Sequence, residues 1–261
     1  MFKRLFLLMC ILVIIMIPLV SSFAMDGLVG AWLFDEGSGN KVKDASGRSH
    51  DGELVGKATF DKNGKIGSAI ICDGTEAYVK IPDHADFIFK GDFSMGCWFL
   101  NNGVAPADNS GIITKGYHTI PANGGDAKPW YLVYFMKAGP VDMFLRDTKA
   151  VNSRAVGKTL VNDGKWHHVL GMKAGNKVKI YIDGKEDGVA DAVDANYGES
   201  AQPLVFMVHY DRWIKGMIDE VAIFNKALTD KEISTVMSGL KLAFAVDSKG
   251  KLAFTWGQLK S

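Results

Sequence analysis

The chain has 261 residues, 48% of them hydrophobic, with 30 Lys and Arg against 29 Asp and Glu and a formal net charge of +1. That balance gives no electrostatic reason to expect nucleic acid or an anionic membrane surface as a partner. The length suits one all-β domain with a sizeable buried core.

The first residues, MFKRLFLLMCILVIIMIPLVSSFA, carry Lys3 and Arg4, then an unbroken apolar run from Leu5 to Val20, then small residues at Ser22 and Ala24. This order predicts a secretory signal peptide over 1–24, cut after Ala24. The apolar run is roughly 16 residues, short of the ~20 that a membrane span needs. The expectation is a secreted, extracellular or cell-surface protein (periplasmic in a bacterium) with no membrane span after cleavage. Loss of Lys3 and Arg4 would turn the formal charge to −1. Two cysteines then remain, Cys72 and Cys97. In an oxidising compartment they either bridge or stay as small buried hydrophobes inside apolar strands.

Beyond the leader the recurring signal is strand, then turn. LVGAWLF (28–34), AIICDG (69–74), AYVKI (77–81) and FSMGCWFL (93–100) come first. SGIITKG, WYLVYFM, VDMFLRD, KWHHVLGMK, KVKIYID, PLVFMVHY and GMIDEVAIFN follow. Gly-, Asn- and Asp-rich turns such as KNGK, NDGK, AGN and IDGK separate them. Ten or more short strands at this spacing predict a sandwich or jelly roll. Trp32, Trp98 and Trp166 fall inside strands and read as core. One helix is predicted: Thr229 caps it, Glu232 completes a capping box, and Ile233, Val236, Met237 and Leu240 form one apolar stripe ending near Gly239. This predicts a lid on a sandwich edge. The domain therefore spans 25–239, and the tail over 240–261 reads as a β-hairpin turning at Gly250.

His167 and His168 stand side by side in a strand. Neighbouring strand side chains point to opposite faces, so the pair cannot grip one metal ion. A structural role is expected, one imidazole hydrogen-bonding and the other partly exposed.

DGKWHHVLGMKAGNKVKIYIDGK resembles the W-H-H-V … L-Y-V-D-G hairpin of laminin G-like domains in the concanavalin A-like superfamily. GLVGAWLFDEGSGNKVKDASGRSHDGEL, GKIGSAIICDGTEAYVKIPDH, GDFSMGCWFL and IKGMIDEVAIFNKALTDKEI resemble further segments of that family in the same order. The resemblance covers roughly 27–238. It implies an all-β, concanavalin A-like jelly-roll sandwich of two curved antiparallel sheets with one short helix near the C-terminus. It does not fix a ligand, because the fold hosts lectins, receptor modules and glycosidases.

Glycosidases of that superfamily carry carboxylates spaced by two along a strand, where a nucleophile and an acid roughly 5 Å apart flank the sugar bond. Here the acidic doublets Asp35–Glu36 and Asp219–Glu220 are adjacent, so extended backbone would splay them apart. The expectation is a non-catalytic module that binds carbohydrate or an extracellular protein. The alternatives are a polysaccharide-degrading glycosidase or lyase of the same fold, or a structural adhesion module. Sugar sites need aromatic faces and a few polar groups. Tyr117, His118, Asp126 and Trp130 in one loop, and Tyr210, Asp211, Arg212 and Trp213 in another, supply them. In the resembling fold both loops lie near the rim of the concave sheet, and pentraxin relatives place ligand-bridging calcium on acidic residues at positions like Asp126 and Asp211. The family's structural calcium, which joins an early loop to the final strand, implies Asp44 and Asp219 as Ca2+ ligands with the carbonyls of Gly47 and His50.

Overall fold

The computed structural model describes residues 26–101, 103, 105–116, 130–147, 149, 151–192 and 196–241. The leader (1–24) and most of the predicted tail hairpin lie outside the described residues.

The chain runs β1 (Leu28–Trp32), β2 (Lys41–Val42), β3 (Gly52–Val55), β4 (Thr59–Asp61), β5 (Ala69–Asp73) and β6 (Tyr78–Ile81). A 3-10 turn at Ala85–Phe87 leads to β7 (Phe93–Leu100), β8 (Ser110–Lys115), β9 (Trp130–Phe135), β10 (Val141–Arg146), β11 (Asn152–Ala155) and β12 (Trp166–Ala174). Then come β13 (Lys177–Ile182), β14 (Lys185–Asp191), β15 (Leu204–Phe206), β16 (Val208–His209), β17 (Arg212–Trp213), β18 (Lys215–Phe224) and the helix α1 (Asp230–Met237).

Two eight-stranded antiparallel sheets result. One has the order β14-β13-β12-β7-β18-β5-β4, with β1 also paired to β18. The other runs β11-β10-β9-β8-β15-β6-β3-β2, and β16 and β17 form a separate two-stranded hairpin. Alternation places one face of each sheet inward. Met95, Cys97, Phe99, Val169 and Ile180 from the first sheet meet Tyr131, Val133, Phe135, Met143 and Phe206 from the second in one buried core. Gly171 marks how closely the sheets approach: a Cβ there would stand 2.5 Å from Met143 Sδ and 2.7 Å from a Val133 methyl.

The helix forms as its sequence dictates. Thr229 accepts the amide of Glu232, whose side chain returns to the Thr229 backbone, completing the capping box. Its apolar stripe does not cover a sandwich edge, as expected, but the outer face of the first sheet. Ile233, Val236 and Leu240 pack there with Leu28, Ala31, Leu170, Met172 and Phe224. The reason lies in the opposite-parity residues of β12 and β18, which carry a second apolar surface that needs a cover.

β18 changes partner along one flank. Its first half pairs with β5 and its second half with β1, while β7 follows the other flank. A register shift falls between Asp219 and Ala222, and Glu220 takes φ +50° there. The bulge re-aims the strand at the point of changeover.

Cys72 and Cys97 are free and buried, on strands that lie either side of β18. Burial pushes both thiols well above their usual range. Of the three tryptophans read as core, Trp32 is fully buried and donates its indole N–H to the carbonyl of His50 at 3.0 Å. Trp98 instead lies buried on the outer face of the first sheet, opposite His168, and Trp166 is half-buried at the end of β12.

Candidate functional site

The face of the second sheet turned away from the core is unusually aromatic. On β9, Tyr131, Val133 and Phe135 point inward, while Trp130, Leu132 and Tyr134 form a separate cluster with Met136 and Phe144. Trp130 stacks on Phe144 with centroids 4.9 Å apart and on His209 at 5.6 Å. His209 Nδ1 is 3.0 Å from the carbonyl of Asn109. His209 also ends β16 and pairs with Arg212 across the β16–β17 hairpin, so this stack ties Trp130 to the loop carrying Tyr210, Asp211, Arg212 and Trp213.

Charge borders the aromatic row. Asp142 is fully buried and receives the Arg154 Nε donor at 2.7 Å, and the Arg154 terminal nitrogen lies 2.6 Å from the same oxygen. The other Asp142 oxygen accepts the amide of Gly157 at 2.9 Å. This fork fixes the guanidinium 5.7 Å above the Tyr134 ring. Burial and the negative charge of Asp142 hold the Tyr134 hydroxyl protonated. Next door Arg146 and Asn152 are hydrogen-bonded on the exposed edge.

The structure thus unites part of the predicted ligand set. Trp130 and the Tyr210–Arg212 turn share one region, with Tyr210 38% exposed and Arg212 5.8 Å over its ring. Trp213 points elsewhere. It lines a groove of roughly 410 Å3 with Gly56, Lys57, Gly74, Thr75 and Glu76. Tyr117, His118 and Asp126 lie outside the described residues. The sequence reading missed Tyr134, Phe144, Asp142 and Arg154. The alternation of WYLVYF into two aromatic faces was the available signal.

The predicted calcium ligands do not share a partner. Asp44 Oδ1 accepts the amides of Ala31 and Ser46, and Oδ2 accepts the Ser46 hydroxyl and the His50 amide. A carboxylate offers about four acceptor sites, so three backbone amides and one hydroxyl take them all and Asp44 stitches its own loop to β1. The His50 carbonyl is occupied by Trp32. Gly47 has the left-handed φ of +80° that this turn requires. Asp219 lies elsewhere, fully buried in the β18 bulge, and accepts the amides of Ile66 and Glu220 at 2.9 and 2.8 Å.

The acidic doublets depart from the expected splay because neither lies in regular extended backbone. Asp35 and Glu36 follow Phe34, which has φ +59°, and sit in a turn. Asp219 and Glu220 occupy the bulge. Burial, foremost, raises both carboxyls of the second doublet to about 7. They are directed at backbone amides, Glu220 taking that of Leu240, and not into an open cleft.

The histidine pair alternates across the strand as expected, but the roles fall differently. His167 is both hydrogen-bonded and partly exposed, its two ring nitrogens 2.8 Å from Asp183 and 3.1 Å from Asp163. His168 is fully buried with no hydrogen-bond partner on either nitrogen and lies edge-on to Trp98 at 5.4 Å. Burial lowers its pKa to about 4, so the ring is neutral. The indole N–H of Trp98 is likewise unpartnered, and Lys65 Nζ lies 4.2 Å from the centre of its ring.

A family model described as the concanavalin A-like lectin/glucanases superfamily matches residues 73–234. No curated protein matches in sequence. Among solved structures, domain 4 of the extracellular arabinanase AbnA from Geobacillus stearothermophilus, in complex with arabinotriose, superposes with a TM-score of 0.63. It shares 18% identity over 80% of this chain and 97% of that domain. The binding domain of Paraclostridial Mosquitocidal Protein 1 gives 0.62 at 14% identity, over 80% of this chain and 51% of that one. The binding domain of botulinum neurotoxin DC, in complex with SialylT, gives 0.61 at 14% identity, over 83% and 52%. This chain therefore spans about half the length of those toxin domains. Such identities establish a shared fold, and the jelly roll they share is the one expected from the sequence. Among the described residues no helix is long and apolar enough to cross a membrane.

Proposed function

This chain belongs to the concanavalin A-like lectin/glucanases superfamily, and on that premise we propose that it is a non-catalytic carbohydrate-binding module acting outside the cytoplasm. The observation that carries the reading is the Tyr210–Arg212 turn, whose exposed Tyr210 ring lies under Arg212 and is backed by the buried stack of Trp130, Phe144 and His209 and by the Arg154–Asp142 fork. Aromatic faces take the apolar side of a sugar ring, and fixed charged donors orient its hydroxyls. The arabinotriose and SialylT complexes of structurally similar domains favour a glycan over a protein ligand. The apolar leader over residues 5–20 supports secretion.

The absence of catalysis is supported by where the carboxylates go. Asp219 and Glu220 are buried against backbone amides, and Asp35 is engaged by the Ser68 amide and Lys241. A structural calcium enters this proposal at the Asp219 end, where the Asp219 and Glu220 carboxyls are buried together in the β18 bulge and supply hard oxygen donors.

Glycan-array screening, with and without calcium, tests the reading. Binding to a defined glycan class is expected, and Tyr210→Ala with Arg212→Ala should abolish it, because these are the side chains of the turn that reach solvent. Release of reducing sugar from a polysaccharide panel would replace this reading with a glycosidase, and unsaturated products with a lyase.

A further inference from the structure

Away from the aromatic face, we propose that His50, His84 and Asp86 form a binding site for a zinc-class divalent cation. One ring nitrogen from each histidine and one carboxylate oxygen all lie within 4.8 Å of one another. His50 Nε2 is 3.1 Å from Asp86 Oδ2, and His84 Nδ1 is 3.5 Å from Asp86 Oδ1. Zinc bonds imidazole nitrogen at about 2.0–2.1 Å and carboxylate oxygen at about 2.0–2.2 Å. Ligand atoms 3–3.5 Å apart around the carboxylate are therefore close to the edges of a coordination polyhedron, and small side-chain rotations complete it.

The site is held by separate segments that the fold brings together. His50 comes from the loop before β3, and its side chain is only 5% exposed. Its amide is fixed by Asp44 and its carbonyl by Trp32, and its ring packs 4.9 Å from Phe87 and 4.5 Å from His84. The imidazole is thus pre-oriented, presenting Nε2 to Asp86. His84 and Asp86 flank the start of the 3-10 turn and remain partly open to solvent, at 51% and 32%. That leaves an outward position for water or an exogenous ligand, the three-ligand pattern of open zinc sites. A groove of roughly 340 Å3 lined by Arg48, Asp86, Lys90, Asp92 and Asn225 gives an entry path.

Two contacts bear on the affinity. The His84 ring nitrogen now accepts the Asp86 amide at 3.2 Å, and zinc would take over that lone pair. Arg48, anchored through Nε to the Leu28 carbonyl, lies 3.3 Å from Asp86 Oδ2. It orients the carboxylate as an outer partner, and its charge opposes the cation. Two nitrogens among three donors select zinc, copper or nickel over calcium.

The test is calorimetric titration of tag-free, full-length protein with Zn2+ in excess calcium, repeated with Co2+ to read the d–d absorption of a nitrogen-ligated ion. One Zn2+ per chain is expected. His84→Ala and Asp86→Asn, both at partly exposed positions, should each weaken it about tenfold or more. Absence of stoichiometric binding, or binding insensitive to both His84→Ala and Asp86→Asn, overturns the site. So does binding lost in His118→Ala or His167→Ala instead.

Discussion

The carboxylate of Asp219 accepts the backbone amide of Ile66, 153 residues earlier, at 2.9 Å. This bond pins the turn before β5 to the bulge where β18 changes partner. Asp219→Ala would leave buried amides unsatisfied, at about 1–3 kcal/mol each. Thermal melting should show a loss of several degrees, with Asp219→Asn losing less because its carbonyl oxygen still accepts. Equal losses for the two variants would refute the hydrogen-bond account.

Asp219 and Glu220 also give a pH dependence. Their folded pKa values, about 7, lie above the unfolded values of about 4. The folded state therefore holds more protons between these limits, and stability from this pair is full below pH ~4 and is lost as pH rises through about 7. Melting temperature of the wild type, measured without added calcium, should fall between pH 5 and 8 by more than that of Glu220→Gln. Parallel profiles would exclude the pair as its source.

His168 acts with the opposite sign. Its folded pKa, about 4, lies below the unfolded value of about 6.5. Its contribution is present above pH ~6.5 and is lost as pH falls toward 4. His168→Leu removes two unpartnered buried nitrogens and should be neutral or stabilising at pH 7. Its melting temperature should also drop less steeply than wild type between pH 6.5 and 5. A large destabilisation at pH 7 would show that the imidazole is bonded after all.

Gly171 tests the spacing of the two sheets. Gly171→Ala drives a methyl into Met143 and Val133, and overpacking of this kind costs about 1–3 kcal/mol. A paired Met143→Ala should restore part of the loss in chemical denaturation, whereas simple additivity would mean the two positions do not compete for the same space.

Thr229 caps α1 through the Glu232 amide and receives the Glu232 side chain in return. Thr229→Ala should cost about 1 kcal/mol and expose the Leu170–Met172 face to proteolysis near residue 230. An unchanged melt would assign the helix to packing alone.

The long strands were legible because an alternating or continuous apolar run says much the same in one dimension as in three. FSMGCWFL is β7 residue for residue, and the capping box formed as written. β11 (NSRA) and β14 (KEDGVAD) were not legible. They are polar edge strands whose pairing is set by neighbours, not by their own pattern. The aromatic face was half legible. Trp130 and the 210–213 loop were singled out from composition, but the partners Phe144 and Arg154 come from a strand pairing that only the register of β9, β10 and β11 reveals. The four donors around Asp44 come from β1, its own turn and His50, a meeting that no spacing in the sequence announces, and the adjacency argument for Asp219–Glu220 assumed a pleat that the bulge removes.

β1 and the second half of β18 are hydrogen-bonded neighbours, and Leu28 and Leu240 share the apolar cluster under α1. Both limits of the described chain thus lie on the helix-covered side of the sandwich. The Trp130 row looks out from the opposite side. That arrangement sets both limits of the described chain on the reverse of the face that carries the exposed Tyr210 ring, so a ligand held there would not have to pass them.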